Sequence, residues 1–247
     1  MVWPGSTAPT LTTTANAVDA LYFVYDGTNY YGRSDLAYGA TGPGIALDNA
    51  ASSTYRGSSG TLSFATGGTN RILIVSTAEN PATSVTYNGT SMTKATSTIG
   101  TSIWYLINPA SGTHDIVVNA SHAGFSLSAV SLDNVDQSTG IGAVATRDDG
   151  GATTASSGSL SLSTTHANSW IVDSLYVNTN SSAADRHPTA TGSNQTLRSA
   201  PYINYSVEYG NGAQSTEMTT GTGSYTTSYS WTNSDWWTMS SVEVLPY

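Results

Sequence analysis

The stretch "YTTSYSWTNSDWW", Tyr225 to Trp237, decides the fold. Tyr225, Thr227, Tyr229 and Trp231 fall on every second residue, with Thr226, Ser228 and Ser230 between them. Successive side chains of a β-strand point to opposite faces, so this spacing puts large side chains on one face and hydroxyls on the other. The same period recurs outward along the chain. Leu62 and Phe64 share a face, as do Ile103, Tyr105 and Ile107, and Ile203, Tyr205, Val207 and Tyr209. Each reads as a strand with one side on a core and the other in water.

Three runs are apolar on both faces, at 72–75, 116–118 and 171–177, and these read as central strands. Turn clusters separate the runs: Asn88-Gly89, 109–112, 148–151, Asn211-Gly212 and 221–223. Asn88-Gly89 suits a type I′ hairpin turn, because both residues tolerate positive φ. No window carries apolar residues at i, i+3, i+4 and i+7, and the β-branched and Gly content opposes a helix. The expected fold is therefore all-β: an antiparallel, jelly-roll-like β-sandwich with a small N-terminal hairpin or arm.

Composition narrows the function classes. Charged residues make up 9% of the chain, against about 25% in ordinary domains. Lys94 is the only lysine. The surface is therefore built from Ser, Thr, Asn and Gly. A net charge of −9 argues against nucleic acid, whose binding rests on Lys and Arg at phosphates, and against anionic membrane surfaces. With no cysteine there are no disulfides, thiolate metal sites or cysteine nucleophiles.

At the front, "ALYFVY" (20–25) and Tyr30-Tyr31 read as a short hairpin turned at Asp26-Gly27-Thr28-Asn29. The segment lacks a basic start followed by an apolar core of about 7–15 residues, so it does not read as an export signal or membrane span. Residues 32–59 are irregular and rich in Gly, Ser and Ala. The expected organisation is an arm and hairpin at 1–43, a linker at 44–59 and a β-sandwich at 60–247. An arm that small cannot hold a core alone and should lean on the main domain, on a larger assembly or on copies of itself. No repeat appears at a period of 20–50 residues.

The chemistry-bearing residues are few. No G-x-S-x-G elbow occurs, and the available bases are His114, His122, His166 and His187. His114 and Asp115 are adjacent, so on a strand they face opposite ways and cannot act as base and orienter. Glu208 and Glu217 could face each other across a hairpin centred on Asn211-Gly212, as paired carboxylates or as solvated rim residues. Asp133, Asn134 and Asp136, with Asp148 and Asp149, cluster oxygen donors of the kind Ca²⁺ prefers, though such residues are also turn formers. No catalytic set emerges, and no cofactor beyond a structural Ca²⁺ is suggested.

Sugar recognition has more behind it. The chain holds 15 Tyr and 6 Trp. Tyr225, Tyr229 and Trp231 on one face, with Asp235, Trp236 and Trp237 after the Asn233-Ser234-Asp235 turn, could form an aromatic platform for a glycan. The competing reading packs that face inward as core. Trp236 and Trp237 are neighbours on a strand, so one of them should lie outside the core.

The segment "WPGSTAPTLTTTANAVDALYFVYDGTNYYG", Trp3 to Gly32, resembles a stretch of tail-fibre and related virion proteins of tailed bacteriophages. The matching positions are Trp3, Pro4, Gly5, Pro9, Leu11, Asn16, Asp19, Asp26, Gly27 and Gly32. Residues 70–137, with "VTYNG" and "WYLINPASGTH", are similar to β-sandwich modules of phage and bacterial surface proteins. The resemblance implies a virion protein: a fibre tip or exposed attachment module, homo-oligomeric and commonly trimeric, that contacts other virion proteins and binds a host-surface glycan. Such a particle assembles in the host cytoplasm and leaves by lysis, without an export signal. The alternatives are a secreted carbohydrate-binding domain and a capsid-decorating or fibre-forming protein without a receptor role.

Overall fold

The computed structural model describes residues 8–10, 18–38, 44–148, 154–179, 185–205 and 209–247. They fall into two compact units, Met1–Gly44 and Ile45–Tyr247. In the first, β1 (Val18–Tyr25) and β2 (Tyr30–Tyr38) pair antiparallel as a two-stranded sheet. The Asp26 carboxylate accepts the Thr28 and Asn29 N–H groups, and Gly27 takes φ 97°, so the turn forms where Asp-Gly places it.

The second unit holds the remaining strands, all paired antiparallel. Its first half runs through β3 (Ala46–Tyr55), β4 (Ser59–Thr66), β5 (Ile72–Ala78), β6 (Ala82–Tyr87) and β7 (Thr90–Ser91). It continues with β8 (Thr93–Ser97), β9 (Thr101–Ile107), β10 (Gly112–Ala120) and β11 (Phe125–Asp133). The second half has β12 (Ile141–Asp148), β13 (Ala155–Thr164), β14 (Trp170–Asn178), β15 (Thr189–Ala190) and β16 (Gln195–Ser199). It closes with β17 (Tyr202–Asn204), β18 (Tyr209–Met218), β19 (Gly223–Asp235) and β20 (Trp237–Val244).

Four sheets result, with orders β4-β10-β6-β7, β3-β11-β5-β9-β8, β12-β20-β14-β18-β16 and β13-β19-β15. Read within each half, the first strand lies beside the last, and the last beside the third, in one sheet. The second strand lies beside the penultimate in the other. That is the jelly-roll order, and it occurs twice. The chain is a tandem pair of jelly rolls.

Burial fixes how the sheets stack. On β5, Leu73 and Val75 enter a core with Phe64, Val85, Ile116 and Val118 from the sheet containing β4. The alternate residues Ile72 and Ile74 enter a second core with Trp170, Val172, Val242 and Val244 from the sheet containing β14. A third core joins Leu175, Val177 and Met239 to Leu160 and Tyr229 on β13 and β19. The layers therefore run β4 sheet, β3 sheet, β12 sheet, β13 sheet, with the jelly rolls back to back. Of the three runs apolar on both faces, 72–75 and 171–177 lie on β5 and β14 of the two inner layers, as expected of fully covered sheets. The third, 116–118, lies on β10 of an outer layer, where only Ile116 and Val118 face the core and Val117 points away from it.

The two halves correspond in sequence once their strands are aligned. Ser58-Ser59-Gly60 and Leu62 on the first pass match Ser156-Ser157-Gly158 and Leu160, 98 residues on. Asn70 and Asn168 are matched too, and both adopt positive φ, 50° and 59°, in the turn before the central strand. This spacing is about twice the longest period at which solenoid-type repeats occur.

Three sequence-based expectations are corrected. Residues 44–59 are not a linker: most of them form β3, hydrogen-bonded along β11. Small residues such as Ala50, Ala51, Ser52 and Ser53 suit an outer strand under a neighbouring layer, which irregular composition disguises. Asn211-Gly212 is no hairpin turn but lies inside β18. A Cβ at Gly212 would come within 2.3 Å of the Ser126 hydroxyl, so glycine is there for close layer packing. The Ile203–Tyr209 alternation yields only the three-residue β17 before β18, and Val207 lies outside the described residues. By contrast, Asn88 and Gly89 adopt φ 49° and 75° in a two-residue turn, the type I′ pattern.

Candidate functional site

The two jelly rolls differ where their cores are compared position by position. In the first, Val75 sits opposite Trp104 on β9, and Val118 opposite Gly60 on β4; Val75, Trp104 and Val118 share one apolar core. In the second, Asp173 sits opposite Ser215 on β18, and Tyr229 opposite Gly158 on β13. Val, Trp and Val have become Asp, Ser and Tyr.

These polar residues bond one another. The Tyr229 hydroxyl donates to Asp173 Oδ1 at 2.6 Å, and the Ser215 hydroxyl to Oδ2 at 2.7 Å. The Ser215 N–H and the Gln195 Nε2 amide also donate to this carboxylate. Asp173 has no solvent exposure. Burial pushes its pKa up to about 6 despite the hydrogen bonds from Tyr229 and Ser215 that pull it down. Glu217 lies two residues along β18 from Ser215, on the same sheet face, and is also buried. Burial, with the Asp173 charge added, lifts Glu217 to about 7. A buried acid in a core costs stability relative to an apolar side chain, so its retention calls for a reason beyond packing.

The network ends at a recess. Gln195 Oε1 accepts the N–H groups of Gly192 and Ser228, tying the wall at Thr191 and Ser228 to the same amide that reaches Asp173. The recess has a volume of about 390 Å³, at the small end of ligand clefts. Its lining includes Tyr229, Trp237 and Gly158 on the inner face of the sheet, Ser157, Ser159 and Ser228, whose hydroxyls point to the outer face, and the exposed Arg147. The guanidinium lies 4.6 Å from the centre of the Trp237 ring, a cation–π contact. A Cβ at Gly158 would come within 2.7 Å of the same indole, so only glycine lets the ring lie flat on β13. In the first jelly roll the matching glycine, Gly60, is covered by Tyr55, which stacks on Phe125.

The expected aromatic platform does not form as drawn. Tyr229 and Trp231 are buried, and Trp231 packs edge-on against Trp237. Tyr225 is half-buried, and its hydroxyl pins the turn at Thr220 and Gly221. Asp235 is buried and holds Arg186. Trp236 is half-buried, edge-on to Tyr176, while Trp237 is buried, so of the pair Trp236 is the one outside the core. Long alternate aromatics bury most when a second sheet covers them, and β12 and β14 lie beneath β19. Of the six residues, only Tyr229 and Trp237 reach the recess.

The other candidates are scattered. Asp133 is pushed up by burial and by the Asp48 charge, Asp136 caps the turn at Ser138 and Thr139, and Asp148 accepts the Ile99 N–H. Asp149 and Glu208 lie outside the described residues. Among the described residues no three acidic or histidine side chains are grouped to hold a metal ion. His114 packs edge-on to Tyr87, His166 bonds the Thr165 hydroxyl, His187 lies 3.4 Å from Asp185, and His122 is exposed. Asp173, Arg147 and Gln195 had escaped sequence reasoning. The only local signal was one Asp inside the apolar run "WIVDSLYV".

Comparison of the chain with protein-family models, with curated proteins and with solved structures finds no match.

Proposed function

We propose that this protein is a non-enzymatic attachment component of a virion, a tail-fibre tip or similarly exposed module. Its hairpin joins copies of the chain, and its tandem jelly roll presents a glycan-binding surface to the host. The observation that carries this reading is a division of labour between the two units. The jelly rolls enclose three cores, whereas the hairpin leaves Leu21, Tyr22, Phe23, Val24, Tyr25, Tyr30 and Tyr31 between 39% and 68% exposed. A monomeric domain rarely carries so dense an apolar patch without a partner.

Two further points support it. Jelly rolls recur in viral capsid and lectin domains, an analogy of architecture rather than of site. The surface is hydroxyl-rich and poor in charge. Joining copies would turn weak single-site binding into avidity, worth about 10²- to 10⁴-fold.

A glycan array of bacterial surface polysaccharides tests the reading with the full chain and with a Phe23→Ser/Val24→Ser variant. The full chain should retain on particular spots, and the variant should lose most of that retention while keeping its fold. No bound spot, or equal retention by both proteins, would overturn it.

A further inference from the structure

We propose that the recess of the second jelly roll is a site for a carboxylate-bearing sugar, with Arg147 gripping the carboxylate. The inference rests on the glycan-binding reading above and names the class of sugar.

Arg147 is one of only seven Lys and Arg residues in a chain of net charge −9. It is exposed at the mouth of the recess, and among the described residues its guanidinium meets no carboxylate. Of its five N–H donors, one reaches an acceptor among the described residues, the Ser159 carbonyl at 3.4 Å. The guanidinium lies over the Trp237 ring, and its other donors are left for a ligand. A planar fork with free donors is the arrangement that takes a carboxylate in two parallel hydrogen bonds.

The recess lies where both faces of β13 and β19 come to its lining: the Tyr229 and Trp237 rings are on the inner face, and the Ser157, Ser159 and Ser228 hydroxyls are on the outer face. The buried network behind it serves positioning: Asp173 orients Tyr229, and Gln195 holds Ser228. The first jelly roll has valines at the positions of Asp173 and Tyr229, and Tyr55 covers its glycine where Trp237, with Arg147 over it, covers Gly158 here.

The full chain, labelled with ¹⁵N, is titrated with D-glucuronate, D-glucose and acetate, following the Trp237 indole N–H and the Arg147 Nε–H. Glucuronate should shift both in a saturable way, and glucose and acetate should each bind at least about tenfold more weakly. A charged hydrogen bond removed from such a contact weakens it by roughly ten- to a hundredfold, so Arg147→Gln should lose glucuronate affinity by that factor and leave glucose unchanged. Arg147→Lys, which keeps the charge but not the fork, should fall between. Unchanged resonances elsewhere in the spectrum confirm that the variants fold. Equal binding of glucuronate and glucose, or full affinity in Arg147→Gln, overturns the proposal. If sugars bind while both reporter resonances stay still, the glycan reading survives and this site does not. If no sugar binds anywhere, both fall.

Discussion

Asp173 is the residue on which the second jelly roll turns. Its carboxyl, like that of Glu217, holds a proton in the folded chain at pH values where the unfolded chain has already released it. Stability from these two groups is greatest below about pH 4 and drains away as pH rises to about 7, because the folded state then binds more protons than the unfolded. For Asp173 alone the shift corresponds to roughly 3 kcal/mol. Urea midpoints should therefore fall between pH 4.5 and pH 7.5, and Asp173→Asn should flatten the lower part of that slope. A midpoint that rises over the same window would contradict the burial described here. Glu243 acts the other way: burial raises it, but N–H groups of Ala143 and His166 outweigh that and hold it below its ordinary value, so its stabilisation disappears only in acid. Gly158 makes a second residue-scale test. Gly158→Ala should cost about 1–3 kcal/mol by overpacking and should move the Trp237 indole resonance, while a silent substitution would mean the ring does not lie on β13.

At the scale of elements, the alternation in Tyr225–Trp231 and the doubly apolar runs at 72–75 and 171–177 made most strands and their burial legible, while the run at 116–118 belongs to an outer strand with one covered face. Asn88-Gly89 and Asp26-Gly27 gave their turns from two residues each. What stayed hidden depends on partners far away in the chain. Asp173 meets Ser215, Tyr229 and Gln195 across separations of 42, 56 and 22 residues, which no local pattern encodes. The same holds for Gly212, a turn residue by type that is spaced by Ser126 of another layer. Correspondence between β5 and β14 gives an element-scale prediction. Val75→Asp, which places an acid at the position of Asp173 without Tyr229 or Ser215 to receive it, should destabilise the chain by about 3–5 kcal/mol in chemical denaturation. A mild effect would mean that the two strands are not equivalent.

Across the whole molecule, the inner layers meet through Ile72, Ile74, Ile103, Val130 and Leu132 on one side and Trp170, Val172, Val242 and Val244 on the other. Two small sandwiches joined by so apolar a contact should melt as one. Ile74→Ala, at about 2–5 kcal/mol, should lower a single calorimetric transition rather than split it. The hairpin belongs to the other compact unit. Both of its faces carry large side chains, Leu21, Phe23, Tyr25 and Tyr30 on one and Tyr22, Val24 and Tyr31 on the other, and a lone two-stranded hairpin is marginal in water. Sedimentation equilibrium of the full chain at micromolar concentration measures directly whether that surface joins copies. The expected result is a closed oligomer several times the 25.6 kDa chain mass, reduced to monomer by Phe23→Ser/Val24→Ser with the sandwich intact. A full chain that sediments as a monomer would contradict it.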